Sequence, residues 1–145
     1  MYLSDQDYDF IYSKVPRICV DLLVRNESET KILLTQRTIE PYVNHWHFPG
    51  GRIKFRETVS DALKRIAKAE LGIDLESKLA GMSGVCEFLE EYQGGSPRHS
   101  ISLVFEIVIP EDTEFSAIDK YQWFSEMPDP VIPPQKNFLI ENNLL

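Results

Sequence analysis

The chain has 145 residues, a formal net charge of −8, 43% hydrophobic residues and two cysteines. That length suits one compact core, and the hydrophobic share argues against disorder. The acidic balance, without any run of basic residues, argues against a broad nucleic-acid surface. A small polyanion is still compatible, because local arginines and a metal ion can outweigh the global field.

Residues 1–15 read as an N-terminal helical arm. Ser4 is its N-cap, and Asp5 and Asp7 suit the positive end of the helix dipole. Tyr8 or Phe10 can stack on a nucleotide base, or pack against this domain or a dimer mate. Pro16 separates the arm from the domain proper.

Residues 17–24 predict a strand that is apolar except for Asp21. An acid there is costly to bury unpaired. Asp21 therefore meets solvent or an ion partner, or it accepts hydrogen bonds from the base or sugar hydroxyls of a substrate. Residues 26–30 form a polar turn, and residues 31–37 return as a second strand, giving a hairpin. Arg37 ends that strand. It is either a surface cation or a bidentate partner for a diphosphate.

Residues 46–49 are a short strand-like piece leading to a glycine turn, Gly50-Gly51-Arg52. Glycine permits positive φ or close approach to a ligand. An amphipathic helix follows, marked by Val59, Ala62, Leu63, Ile66, Ala67 and Leu71. Thr58 is its N-cap, and Gly72 stands at the C′ position. Glu70 falls one turn after Ile66, and Arg65 lies across from Glu57. A helix carboxylate beside free backbone carbonyls is a hard-oxygen site for Mg²⁺, with Mn²⁺ as a substitute. The plainer alternative is a packing helix with Glu70 solvated.

Beyond Gly72, residues 75–92 carry one or two strands centred on 82–88, and residues 94–97 are a loop. Residues 99–107 give a clear strand, 110–114 an acidic loop and 121–124 a short aromatic strand. Pro133 and Pro134 open a final helix through Leu139 and Ile140. Cys19 and Cys86 sit in apolar strands without metal spacing, so buried free thiols are expected. No apolar run approaches the ~18 residues of a membrane span, and a cytoplasmic protein is expected.

Residues 51–73 resemble the Nudix box, G-x5-E-x7-R-E-U-x-E-E-x-G-U, where U is a bulky apolar residue. Gly51, Glu57, Arg65, Glu70, Gly72 and Ile73 match, whereas Ile66 and Ala69 replace two glutamates. Loss of the first glutamate, with Pro49 to Arg52 and Ala69 to Gly72, resembles the branch that hydrolyses GDP-mannose to GDP and mannose. The resemblance implies an α/β/α sandwich around a mixed β-sheet, in one domain covering residues 1–145. It implies one Mg²⁺ held by Glu70 and the Gly50 carbonyl. It also implies a nucleotide-sugar substrate contacted by Asp21 and Arg37, and a homodimer. Arg52, inside the site-forming turn, is expected to bind that substrate and to serve the catalytic step with Arg37, and Tyr8 is a candidate to stack on its base.

That branch carries a glutamine and a histidine just before its Y-x-W strand, serving as metal ligand and general base. Here residues 117–120 supply neither. Asp119, Glu114, His99 and His47 remain as candidate bases. Two other outcomes stay open: an ordinary Nudix pyrophosphatase, or a nucleotide-binding domain without turnover.

Overall fold

The computed structural model describes residues 2–75, 79–93, 96–116, 118 and 120–145. The architecture is α/β, with helices on both faces of a mixed sheet. Its centre is β1 (Arg17–Arg25), a nine-residue strand whose middle is fully buried. The elements before and after it are α1 (Asp5–Tyr12), β2 (Ile32–Gln36), β3 (Trp46–His47), β4 (Gly50–Arg52) and α2 (Val59–Ile66). Then come β5 (Leu79–Gln93), β6 (Ser96–Val108), β7 (Tyr121–Phe124) and α3 (Pro133–Glu141).

The strand order is β3-β2-β1-β6-β5, with β4 added to β1 and β7 to β2. β1 runs parallel to β6 from Arg17↔Ser100 to Arg25↔Val108. Along its other edge β1 takes β4 antiparallel, with Cys19↔Arg52, Val20↔Gly51 and Asp21↔Gly50. Further along that edge it meets β2 at Val24↔Leu33.

Side chains alternate along a strand, so β1 serves two cores. Val20, Leu22 and Val24 pack with Ala62, Leu63, Ile66 and Leu71 of the box helix. Leu23 faces the other way, with Leu34, Phe48, Val104, Phe138 and Leu139 under α3. Asp21, two residues from Leu23, therefore shares the α3 face. Burial of Leu63, Ile66 and Leu71 contributes about 2 kcal/mol each, which ties the box helix to the sheet.

The box helix starts as its sequence directs: Thr58 Oγ1 accepts from Asp61 N at 3.0 Å. It ends at Gly72, whose φ of 70° is left-handed. Between these caps the sequence reading needs one correction. Residues Ala67–Leu71 form a π-helical turn, so Glu70 stands on a widened turn, a feature common near functional sites.

Three more expectations change. The glycine turn is a strand, β4, in which neither glycine has positive φ. Its glycines serve close approach. Ser96 and Pro97, expected in a loop, begin β6, while Gly94 and Gly95 lie outside the described residues. Both cysteines are free, but only Cys86 is buried; Cys19 is half-buried. The arm forms α1, capped by Ser4, whose Oγ accepts from Asp7 N at 3.1 Å. No described helix is long and apolar enough to cross a membrane.

Candidate active site

A cavity of about 230 Å³ opens on the α3 face of the sheet. Strand alternation brings Arg17, Cys19 and Asp21 of β1 to it, with Ser100 and Ser102 from β6 and Gly50 and Arg52 from β4. Phe48, Phe88 and Ile132 give it apolar walls, and Gln135 enters from the first turn of α3.

Asp21 is buried, with 7% of its surface exposed. Its Oδ2 accepts from Gln135 Nε2 at 3.2 Å. Gln135 Oε1 in turn accepts from Phe48 N at 2.9 Å, which fixes the amide's orientation. A buried acid is tolerable when held in this way. The carboxylate also fills the space where Gly50 lacks a side chain.

Arg37 follows β2 directly and lines the same cavity. Its Nε donates to the Pro41 carbonyl at 2.6 Å, which turns the guanidinium along its own loop. Arg52 Nη1 donates to the Tyr12 hydroxyl at 3.3 Å. Its guanidinium lies 5.8 Å from the Tyr8 ring centroid and 5.6 Å from that of Tyr12. Tyr8 reaches the cavity from α1, and its hydroxyl accepts from Arg17 Nη1 at 2.6 Å. Asp21, Arg37, Arg52, Gly50 and Tyr8 thus converge on one cavity.

Glu70 does not line that cavity; its π turn packs, through Ala67 and Leu71, on the opposite face of the sheet. The box pair beside it is well formed. Arg65 Nε donates to Glu57 Oε2 at 2.7 Å, and its Nη2 donates to the Arg52 carbonyl at 2.8 Å. The Arg65 guanidinium, with the Lys54 backbone N–H, holds the Glu57 carboxyl down at about 2. This arginine staples the start of the box helix to the strand that carries Arg52.

Ile66 is buried where the box pattern has glutamate. A Cβ on Gly51 would meet its Cδ1 at 3.3 Å. Among the described residues no three His, Cys, Asp or Glu side chains come together as a metal cluster. Glu70 nevertheless fits a single hard cation. Burial raises its pKa, and it makes no hydrogen bond or ion pair with the described residues. The Gly50 carbonyl suits the same role. Pro49 O accepts from Leu22 N at 2.8 Å, so strand alternation turns the next carbonyl away from β1.

The candidate bases separate. His47 lines the cavity and lies 3.1 Å from Thr35 Oγ1. Burial, followed by the charge of Arg37, lowers its pKa to about 4, so it is neutral but weakly basic. His99 faces a different cavity, beside Arg98 and Pro97. Glu114 is exposed on its loop, and Asp119 lies outside the described residues.

Sequence reading missed Arg17, Ser100, Ser102 and Gln135. A period-two signal was available: Arg17, Cys19 and Asp21 alternate with apolar residues, as Ser100 and Ser102 do on β6. Gln135 carried no such signal, because only tertiary packing brings α3 to β1.

The fold and box together define a family. The chain belongs to the NUDIX domain family, whose model matches residues 15–136. Enzymes of this family are hydrolases of nucleotide derivatives and generally use a divalent metal ion such as Mg²⁺. The chain is 33% identical over 112 residues to the low-salt glycan biosynthesis protein Agl8 of Haloferax volcanii. That match covers 76% of this chain and 70% of the relative. It is 34% identical over 90 residues to an ADP-ribose pyrophosphatase of Methanocaldococcus jannaschii, covering 62% of this chain and 49% of that protein. Its fold matches a MutT NUDIX hydrolase from Burkholderia pseudomallei with a TM-score of 0.73 at 22% identity. There the match covers 88% of this chain and 98% of the other.

Proposed function

We propose that the protein is a Mg²⁺-dependent hydrolase of a nucleoside diphosphate sugar of the GDP-mannose type, releasing nucleoside diphosphate and free sugar. The observation that carries this is Ile66, buried against Gly51 where the box pattern places a carboxylate. Glu70 is left as the lone acid of that helix face. Attack of water at the anomeric carbon requires mainly that the departing diphosphate be stabilised, and one cation serves that need. Attack at phosphorus draws on several carboxylates to gather charge at the pyrophosphate.

In this reading Glu70 and the Gly50 carbonyl hold Mg²⁺, which supplies positive charge to the leaving diphosphate. Arg52 and Arg37 share that work from the cavity wall, and Asp21 and Tyr8 hold the rest of the substrate. The glycan-synthesis name of the Haloferax relative agrees with a sugar nucleotide. A homodimer of one catalytic domain in the cytoplasm completes the proposal.

A second reading, cleavage between the phosphorus atoms, is favoured by the name of the Methanocaldococcus relative. A third, binding without turnover, is favoured by residues 117–120, which carry no glutamine or histidine. A Mg²⁺ titration with and without nucleotide sugars, followed by product analysis, separates the three. Nucleoside diphosphate with free sugar supports the first. Nucleoside monophosphate with sugar phosphate supports the second, and binding without products the third.

A further inference from the structure

Arg52 stands on a border. It lines the active-site cavity and also a second, apolar groove of about 490 Å³, walled by Ile11, Val15, Ile18, Ile53 and Phe55. A long side chain at such a border can turn either way, and only one direction serves a diphosphate. Tyr8 lines the cavity and Tyr12 the groove. The Arg52 guanidinium lies 5.8 Å from the centroid of the first ring and 5.6 Å from that of the second.

The N-terminal arm delivers both rings. Tyr8 and Tyr12 are one helical turn apart on α1, which puts them on the same helix face. Their rings meet edge-on with centroids 4.8 Å apart. No residue of α1 is buried, so core packing does not hold the helix. Arginines of three strands dock it instead. The Tyr8 hydroxyl accepts from Arg17 Nη1 at 2.6 Å, Asp9 pairs with Arg98, and the Tyr12 hydroxyl accepts from Arg52 Nη1 at 3.3 Å.

The chemistry of the holder matters. Arg65 is fixed by the Glu57 carboxylate, which cancels its charge. Among the described residues Arg52 has no carboxylate partner. Its holders are a hydroxyl and two aromatic rings, which attract a guanidinium through a lone pair and the ring quadrupoles. They orient the cation and leave its charge for a ligand. We propose that Tyr12, with Tyr8 one turn before it, is a positioning residue that holds the Arg52 guanidinium at the cavity with its charge intact. This rests on the reading of Arg52 as a group that steadies the leaving diphosphate.

The test is a double-mutant cycle between Tyr12 and Arg52 in the full chain. It is read in kcat and KM for GDP-mannose at saturating Mg²⁺, and in calorimetric binding of GDP, which needs no turnover. Tyr12→Ala is expected to lower kcat by about tenfold or more, since displacing a positioned group by about 1 Å costs up to about 10²-fold. KM should stay within about twofold. GDP should also bind more weakly, because its diphosphate carries the charge that Arg52 meets. Tyr12→Phe, which keeps the ring and loses the hydroxyl, should recover most of the rate. In an Arg52→Ala background Tyr12→Ala should cause no further loss in kcat or in GDP affinity. Thermal unfolding should be unchanged, because α1 buries no residue.

Losses at Tyr12 and Arg52 that multiply overturn the inference, because Tyr12 then acts independently of the arginine. So does a Tyr12→Ala protein with unchanged kcat and GDP affinity, or one altered in KM alone. Turnover with multiplying losses sinks the positioning role and leaves the hydrolase reading standing. Coupled losses in GDP binding without turnover uphold the positioning role and sink the hydrolase reading. Absence of both turnover and GDP binding overturns both.

Discussion

A Cβ built on Gly50 would lie 2.0 Å from Oδ1 of Asp21 and 2.7 Å from the Val20 carbonyl oxygen. The acid of β1 occupies the space of the side chain that β4 lacks. These two positions, 29 residues apart in the chain (50 − 21), are paired in the ladder. Asp21 is thereby held at the strand whose next residues are Gly51 and Arg52.

Gly50→Ala is therefore expected to destabilise the protein by about 1–3 kcal/mol, the usual cost of forcing a methyl into packed surroundings. It should also displace Asp21. Gly51→Ala should cost less, because its nearest neighbour is the end of the Ile66 side chain at 3.3 Å. Urea unfolding of the two variants side by side checks the order. A Gly50→Ala protein as stable as its Gly51→Ala counterpart would contradict the close approach.

Charge removal at Glu70, and at Arg52 in the cavity wall, should act on the chemical step. Glu70→Gln keeps shape and loses charge, so Mg²⁺-dependent turnover should fall by about 10²-fold or more while the fold survives. Arg52→Ala should lower kcat more than it raises KM, the mark of an interaction strengthened in the transition state. Steady-state kinetics at limiting Mg²⁺ measures both. A Glu70→Gln enzyme at full rate removes that residue as the metal ligand, and an effect of Arg52→Ala on KM alone makes Arg52 a ground-state clamp.

The Glu57–Arg65 pair should appear in acid stability. The Arg65 guanidinium holds the Glu57 carboxyl down at about 2 in the folded chain, below its ordinary value of 4.5. A depressed carboxyl stabilises the fold fully above its unfolded value, and that contribution disappears as pH falls from 4.5 toward 2. Glu57→Gln should thus be destabilised relative to the natural sequence at pH 7, with the gap closing over that interval. Thermal unfolding of both proteins between pH 2 and 7 reads it directly, and a gap independent of pH would deny the ion pair its role.

Much of this arrangement is legible in the sequence, for physical reasons that can be named. The box helix announces itself because periodic apolar residues, the Thr58 cap and Gly72 are local signals. The strands of the central hairpin are legible for the same reason. The π turn at Glu70 has no such signal, since it depends on how the last turn packs. Gly50-Gly51 reads as a turn because turns are the usual need for paired glycines. Their actual reason, the approach of Asp21 to Gly50 and of Ile66 to Gly51, exists only once β4 lies on β1. Likewise the cavity gathers residues from β1, β4, β6 and α3, so Ser102 and Gln135 acquire meaning only together.

The bond that breaks is the most direct test of the proposed chemistry. Ile66 and Ala69 leave Glu70 as the lone acid at those three box positions, and a thinned site favours departure of an intact nucleoside diphosphate. Hydrolysis of a GDP-hexose in ¹⁸O-labelled water, read by mass spectrometry of the products, is predicted to place the label on the anomeric oxygen of free sugar, with unlabelled GDP. Label on phosphate, with GMP and hexose phosphate released, would contradict attack at carbon and identify the enzyme as a pyrophosphatase.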